Sequence, residues 1–239
     1  MKNPFCNTKR PLSSLLLILI FVLSAPHRTV YAGSWTVTTN ASSGTGSLRQ
    51  AITDANINPG PDTIFFNISG TTPHVIMLSG SDLPTLTDAG TYIDGYSQPV
   101  VGTVPGPPII IMGTQLNAGY GLDLSGANCT ITGLQILDMP YHGIRVSAGA
   151  SGWRIGLPGA GNVISGNNYS GIDIDGADNG FLQSNIIGLN PAGTATMPNR
   201  YFGVNMENGA DGNLIGGVGA GNTISGIDYD GLSLECCNN

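Results

Sequence analysis

The residues best suited to chemistry in this chain are carboxylates that lie in or just after a repeated phrase. Asp173 and Asp175 stand two residues apart, and Glu207 and Glu235 follow the corresponding phrases further along. Residues two apart on a strand point to the same side, about 7 Å from each other. Such carboxylates could bind calcium, or act as an acid and base pair on a glycosidic bond. The alternative is a solvated acidic stripe on an acidic protein.

Four aromatic residues also recur at a fixed place, two residues before a repeated phrase. They are Tyr141, Tyr169, Tyr201 and Tyr229. Stacked along one edge, they would either support the structure or, if exposed, form a platform on which sugar rings could lie. His142, next to the first of them, is either a surface histidine or a general acid.

The phrase that positions these residues reads glycine, apolar, variable, apolar. It begins at five places, with spacings of 22, 28, 32 and 28 residues: Gly121, Gly143, Gly171, Gly203 and Gly231. Its period of two predicts strands whose apolar side chains point inward and whose variable residue faces solvent. In order, the residues at this outward position are Asp123, Arg145, Asp173, Asn205 and Ser233.

A longer phrase, Gly-Ala-Gly-Asn-x-Ile-Ser-Gly, occurs at residues 159–166 and again 60 residues later at 219–226. Repeats of this kind are typical of stacked arrays, in which each repeat buries its apolar side against the next. We therefore expect an all-β parallel β-helix, a solenoid whose coils hydrogen-bond to one another at about 4.8 Å. Asn162 and Asn222 occupy the same place in this phrase, and would either form an asparagine ladder or contact a ligand.

The first 32 residues have the features of a secretory signal peptide. Basic residues Lys2, Lys9 and Arg10 precede an apolar run at residues 12–23, and small residues precede a cleavage point after Ala32. The run is too short for a comfortable membrane span. We expect residues 1–32 to be removed, which predicts a secreted or cell-surface protein with no membrane span in its mature chain. A retained N-terminal anchor is the alternative.

The composition of the mature chain restricts its partners. It has no lysine, four arginines and all fifteen acidic residues, so its net charge is 4 − 15 = −11. Nucleic acids are excluded as partners because phosphate binding relies on basic residues. Polyanionic substrates such as pectate would be repelled unless calcium intervened. Cys129, Cys236 and Cys237 form neither a disulfide framework nor a zinc site, so no cofactor is expected, with Ca²⁺ as the one candidate ion.

The mature chain divides into two regions. Residues 33–117 read as an N-terminal cap and the first coils, and residues 118–239 as the β-helix repeats. Within the first region, Ser47 can cap a short amphipathic helix that carries Leu48, Ile52 and Ala55 on one face. Such a helix would cover the apolar end of the first coil. Because no capping element follows the last phrase, we expect the protein to continue beyond Asn239.

The N-terminal region resembles that of large bacterial secreted β-helix proteins that carry a Cys-Ser-Leu-Arg-Glu-Ala motif. The matching residues are Gly46-Ser47-Leu48-Arg49-Gln50-Ala51-Ile52, with Gly46 and Gln50 in place of the motif's Cys and Glu. The Gly-Asn-x-Ile-Ser-Gly phrases are similar to the same proteins' repeats. The resemblance implies a right-handed, pectin-lyase-like parallel β-helix and secretion, but it implies little about activity. It extends more loosely to polymorphic outer-membrane proteins, polysaccharide lyases and polygalacturonases.

These features favour a structural or adhesive stalk at the cell surface, with an extracellular polysaccharide or a cell-surface component as partner. The alternative is a carbohydrate-binding or polysaccharide-degrading β-helix, either a lyase or a glycosidase. Catalysis is disfavoured because the lysine typical of lyase sites is absent, as are the Gly-His-Gly and Arg-Ile-Lys motifs of polygalacturonases. In the alternative, the carboxylates and the four tyrosines named above would contact carbohydrate or calcium.

Overall fold

A computed structural model describes residues 31–235. The predicted signal peptide, apart from Tyr31 and Ala32, lies outside the described residues, as do Cys236 and Cys237. The described part forms one α-helix, a short 3₁₀ helix at Gly95–Ser97 and three sheets in which the strand pairs are parallel. This arrangement confirms the predicted all-β parallel β-helix. No helix within residues 31–235 is long and apolar enough to cross a membrane.

Successive coils of the β-helix contribute successive strands to each of the three sheets. The strands are numbered here in chain order. Sheet 1 contains β1 Ser34–Val37, β2 Thr63–Phe66, β4 Tyr92–Asp94, β7 Thr130–Thr132, β10 Arg154–Ile155, β13 Phe181–Leu182 and β16 Leu214–Ile215. Sheet 2 contains β3 His74–Ser79, β5 Ile109–Gln115, β8 Leu134–Leu137, β11 Val163–Ser165, β14 Ile186–Ile187 and β17 Thr223–Ile224. Sheet 3 contains β6 Leu122–Leu124, β9 Ile144–Ser147, β12 Ile172–Asp175, β15 Val204–Glu207 and β18 Leu232–Leu234.

Sheet 3 is built from the five repeated phrases, stacked in the predicted register. Ile172 pairs with Ile144 on one side and with Val204 on the other. All three side chains are fully buried, as are Ile174 and its partners in the next column. Apolar side chains that repeat at one position therefore fill the interior, since parallel strands in register bring identical positions together.

The N-terminal end of the coil stack is covered by helix α1, Leu48–Ile57. The side-chain oxygen of Ser47 accepts a hydrogen bond from the Gln50 N–H at 3.2 Å, which satisfies one of the free donors of the first turn. The helix ends at Asn58 and packs against β1 and β2. Its buried residues are Leu48, Ala51, Ile52 and Ala55. The predicted amphipathic cap is therefore present.

Stacked asparagines join the coils at the bend before sheet 2. Asn162 Nδ2 donates to Asn185 Oδ1, and Asn185 Nδ2 donates to Asn222 Oδ1, both at 3.0 Å. Asn162 and Asn222 thus belong to a ladder, as one of the two sequence interpretations held, but they occupy alternate coils with Asn185 between them. A second pair, Asn167 to Asn199 at 2.8 Å, joins the next bend. These amides satisfy buried backbone groups that the turns leave open.

Candidate functional site

The four predicted tyrosines form a continuous stack along one bend, called here the tyrosine ladder: Tyr141, Tyr169, Tyr201 and Tyr229. Successive ring centroids are 4.3, 5.1 and 5.1 Å apart, with planes within 14° of parallel. The backbone N–H of each later tyrosine donates to the carbonyl oxygen of the one before it, at 3.2 to 3.3 Å. The ladder follows from the spacing of about 4.8 Å between coils, which places each ring over its predecessor.

Face-to-face stacking determines what the tyrosine ladder can offer a ligand. Both faces of Tyr169 and Tyr201 are covered by neighbouring rings, so their exposed fractions of 36% and 42% come from ring edges and phenol groups. Tyr120 packs edge-on against Tyr141 at 5.7 Å. The expected flat platform for sugar rings is therefore not formed at these two tyrosines. The ladder instead presents a row of edges and hydroxyl groups, which can donate and accept hydrogen bonds.

A groove of about 260 Å³ runs beside the tyrosine ladder, on the side of the residues that follow the tyrosines. Its polar residues come from the outward positions of β12 and β15, and its aromatic residues from the bend. Besides the ladder tyrosines, it is lined by His142, Ser170, Asp173, Phe202, Asn205 and Glu207. We refer to it as the ladder groove.

The outward positions of β12 and β15 are not solvent-facing, contrary to the sequence-based expectation. Asp173 is 6% exposed and Asn205 is 7% exposed. Side chains that follow the tyrosines close the groove around them: His142 Nε2 lies 4.0 Å from Asp173 Oδ2, and Phe202 lines the same groove. Alternation along a strand determines on which side of the sheet a residue lies. Its exposure also depends on whether side chains from the neighbouring bends cover it.

Asp173 and Asn205 form a buried pair at the floor of the ladder groove. Asn205 Nδ2 donates to Asp173 Oδ1 at 3.0 Å, whereas Asn205 Oδ1 is buried and has no hydrogen-bond partner. Burial raises the pKa of the Asp173 carboxyl, and the hydrogen bond from Asn205 partly opposes this shift. An unsatisfied buried acceptor costs about 1–3 kcal/mol, so a ligand that donates a hydrogen bond here would relieve it.

His142 is held as a neutral side chain in the wall of the groove. Its Nδ1 accepts a hydrogen bond from the Ser170 N–H at 3.2 Å, which leaves the ring hydrogen on Nε2, the nitrogen nearest Asp173. Burial, followed by the positive charge of Arg145, lowers the pKa of His142 to about 4. With a side chain only 12% exposed, His142 is not the surface histidine expected. This lowered pKa favours the neutral ring at pH 7, the form that lacks the proton a general acid donates.

The acidic row after the repeated phrases has the predicted register, since Asp175 lies directly beside Glu207. Asp175, however, is held by two neighbouring side chains. Its Oδ2 accepts from Arg145 Nη2 at 2.9 Å and its Oδ1 from Asn208 Nδ2 at 2.8 Å. These two donors lower the pKa of Asp175. Glu207 lines the ladder groove, and the Glu235 N–H continues the ladder of backbone hydrogen bonds at the described end of sheet 3.

The carboxyl groups of Asp173 and Asp175 have opposite pKa shifts, a pattern that acid and base pairs also show. Each oxygen of Asp175 already accepts one hydrogen bond from a neighbouring side chain. No cluster of three or more His, Cys, Asp or Glu side chains able to hold a metal ion occurs among residues 31–235. Cys129 is buried, and burial raises the pKa of its thiol to about 11, in keeping with a core residue.

Three residues of the ladder groove were not predicted as site residues: Ser170, Phe202 and Asn205. A signal for the last two was present, because the position after the tyrosine is aromatic or imidazole in two of the four coils, at His142 and Phe202. Bulky residues there can cover the outward positions of sheet 3, which include Asn205.

The chain matches no protein-family model and no curated protein.

Proposed function

We propose that this chain is a secreted cell-surface protein of the β-helix type that its N-terminal motifs resemble, and that it acts as an adhesive segment that binds a neutral extracellular glycan. The single observation that carries the proposal is the buried, unpartnered Oδ1 of Asn205 in a groove bordered by tyrosine edges. Sugar hydroxyl groups are donors that would complete this acceptor and the adjoining Asp173 carboxylate.

The charges of the groove support a neutral ligand over an acidic one. Asp173 and Glu207 line it, and Arg145 is already paired with Asp175. The described chain contains no lysine that could compensate a uronic acid. An anionic polysaccharide would therefore meet like charges in a partly desolvated groove, where repulsion is strong.

The stacked coils add a further reason to favour an extended chain as ligand. The rings of the tyrosine ladder repeat at 4.3 to 5.1 Å, which is close to the length of one sugar unit in an extended polysaccharide. A glycan aligned with the helix axis would thus meet similar groups at each step. Simultaneous weak contacts of this kind raise the apparent affinity without a deep pocket.

The test is a calorimetric titration of the secreted protein with neutral hexasaccharides: cello-, laminari-, malto- and chitohexaose. Asp173→Asn and Asn205→Leu each remove an acceptor of the floor. We expect at least about tenfold weaker binding, because a sugar hydroxyl then loses a buried partner. Asp123→Asn is the matched control, since Asp123 occupies the same phrase position two coils away from Asp173.

The outcomes separate the interpretations. Binding that is lost in both floor variants and kept in Asp123→Asn supports the ladder groove. Unchanged affinity in both floor variants would refute it. Release of reducing ends from any of the hexasaccharides would show that the enzymatic alternative, and not simple adhesion, describes the protein.

A further inference from the structure

A second and larger cleft of about 600 Å³ borders the tyrosine ladder on its other flank. Where the ladder groove is lined by residues that follow the tyrosines, this cleft is lined by the residues that precede them: Pro140, Asn168, Arg200 and Asp228. Its volume lies within the range of about 300–1,000 Å³ that is usual for small-molecule sites. The cleft lies outside the ladder groove, and none of its lining residues is used there.

Arg200 stands apart from the other arginines of the described chain. Arg49 donates to main-chain carbonyl oxygens, Arg145 is paired with Asp175, and Arg154 lies over the ring of Phe181. The guanidinium of Arg200 has no hydrogen bond, ion pair or ring contact with any residue in 31–235. As an exposed residue that lines the cleft, Arg200 presents hydrated donors that a ligand can take up.

Asp138 supplies the complementary acceptor. Its carboxyl group is half-buried in the same cleft and receives no hydrogen bond from residues 31–235. Burial raises the pKa of the Asp138 carboxyl, as expected of a partly desolvated group. A free donor and a free acceptor thus line one concave surface.

The backbone leaves room for this carboxylate. Gly166 has a φ of +74°, and a Cβ there would lie 2.4 Å from Asp138 Oδ1 and 2.8 Å from Met197 Cε. Any side chain at this position would displace both groups that shape the cleft wall. Leu116, Pro140, Met197 and Pro198 complete an apolar lining. The long loop of the 32-residue coil provides two of these residues.

We propose that this cleft is a second carbohydrate subsite, which holds a neutral sugar unit between the Asp138 carboxylate and the Arg200 guanidinium. Two adjacent hydroxyl groups of a sugar can donate to one carboxylate, while its oxygens accept from a guanidinium. The C–H face of the ring contacts the apolar lining, as in pockets where a few polar groups fix orientation. Asp138 and Asp228 together outweigh Arg200, which disfavours uronic acids. The inference takes its ligand class from the proposed function, but it depends on different residues.

The experiment uses the same four hexasaccharides, with Asp138→Asn and Arg200→Gln as cleft variants. Each is expected to weaken binding by at least about fivefold. Asp54→Asn, on helix α1, and Arg154→Gln, on sheet 1, are matched controls that remove the same charges elsewhere and should leave affinity unchanged. Circular dichroism and thermal denaturation of every variant establish that the fold is kept.

Comparison with the ladder-groove variants distinguishes the two proposals. Weakened binding in the cleft variants supports the second subsite whether or not Asp173→Asn also weakens it. Unchanged affinity in both cleft variants, with loss in Asp173→Asn, overturns the second subsite and leaves the proposed function standing. Equal loss in the cleft variants and their controls, or no binding of any hexasaccharide by the wild-type protein, also overturns it.

Discussion

The neutral state of His142 should make the stability of this protein fall in mildly acidic solution. Its pKa is lowered from an ordinary value of 6.5 to about 4, first by burial and then by the charge of Arg145. The folded state therefore favours the neutral ring, and the contribution is complete above pH 6.5. It is lost as the pH falls from 6.5 to about 4, because the unfolded chain binds the proton first. The difference corresponds to about 3 kcal/mol of unfolding free energy.

The variant that isolates this effect is His142→Gln, which cannot be protonated. Urea denaturation of both proteins at pH 7, 6, 5 and 4 gives the two pH profiles, and their difference removes the titration of other groups. Asp173, whose pKa is raised, shifts stability in the opposite direction and is common to both proteins. We expect wild type to lose about 3 kcal/mol relative to His142→Gln between pH 7 and 4. Parallel profiles, or an NMR titration that places the pKa of His142 at or above 6.5, would refute the described environment.

Three further substitutions test the packing that positions the site. Asn185→Ala removes four hydrogen bonds of the asparagine ladder and should lower the unfolding free energy by about 3–5 kcal/mol, whereas Asn168→Ala, at an exposed side chain, should change it by less than about 0.5 kcal/mol; urea denaturation compares the two. Gly180→Ala would place a Cβ 1.9 Å from the ring of Trp153, so we expect a loss of about 3 kcal/mol or more, and a melting temperature equal to wild type would contradict this contact. Tyr201→Ala should cost about 1–2 kcal/mol by interrupting the tyrosine ladder, while Tyr201→Phe should be nearly neutral in thermal denaturation; a neutral alanine variant would show that the stacking is not stabilising.

The columns of sheet 3 could be predicted because two independent regularities agree. The phrase has period two, which separates inward from outward residues, and it recurs at coil spacing, which brings Ile144, Ile172 and Val204 into one column. The helix at Leu48–Ile57 was likewise specified by a local cap and one apolar face. In both cases short-range pattern and long-range packing carry the same information.

The candidate site was only partly predictable, because exposure in a β-helix depends on contacts between bends and strands. The burial of His142 was not predicted, because the same position holds serine in the next coil, at Ser170, and a bulky residue recurs only one coil later, at Phe202. Asn185 was not predicted for a related reason: it lies in the asparagine ladder between Asn162 and Asn222, but the Gly-Ala-Gly-Asn phrase does not recur around it. The cleft at Asp138 depends on a glycine and a loop from different coils, which no single repeat contains.

The most direct measurement is a crystal structure of the protein with a bound neutral hexasaccharide, and specifically the distance from Asn205 Oδ1 to the nearest sugar oxygen. We expect a hydroxyl group within about 2.7–3.0 Å of this atom, with the glycan beside the tyrosine ladder. A glycan bound elsewhere, or an Asn205 Oδ1 already satisfied by a donor of the protein, would contradict the account.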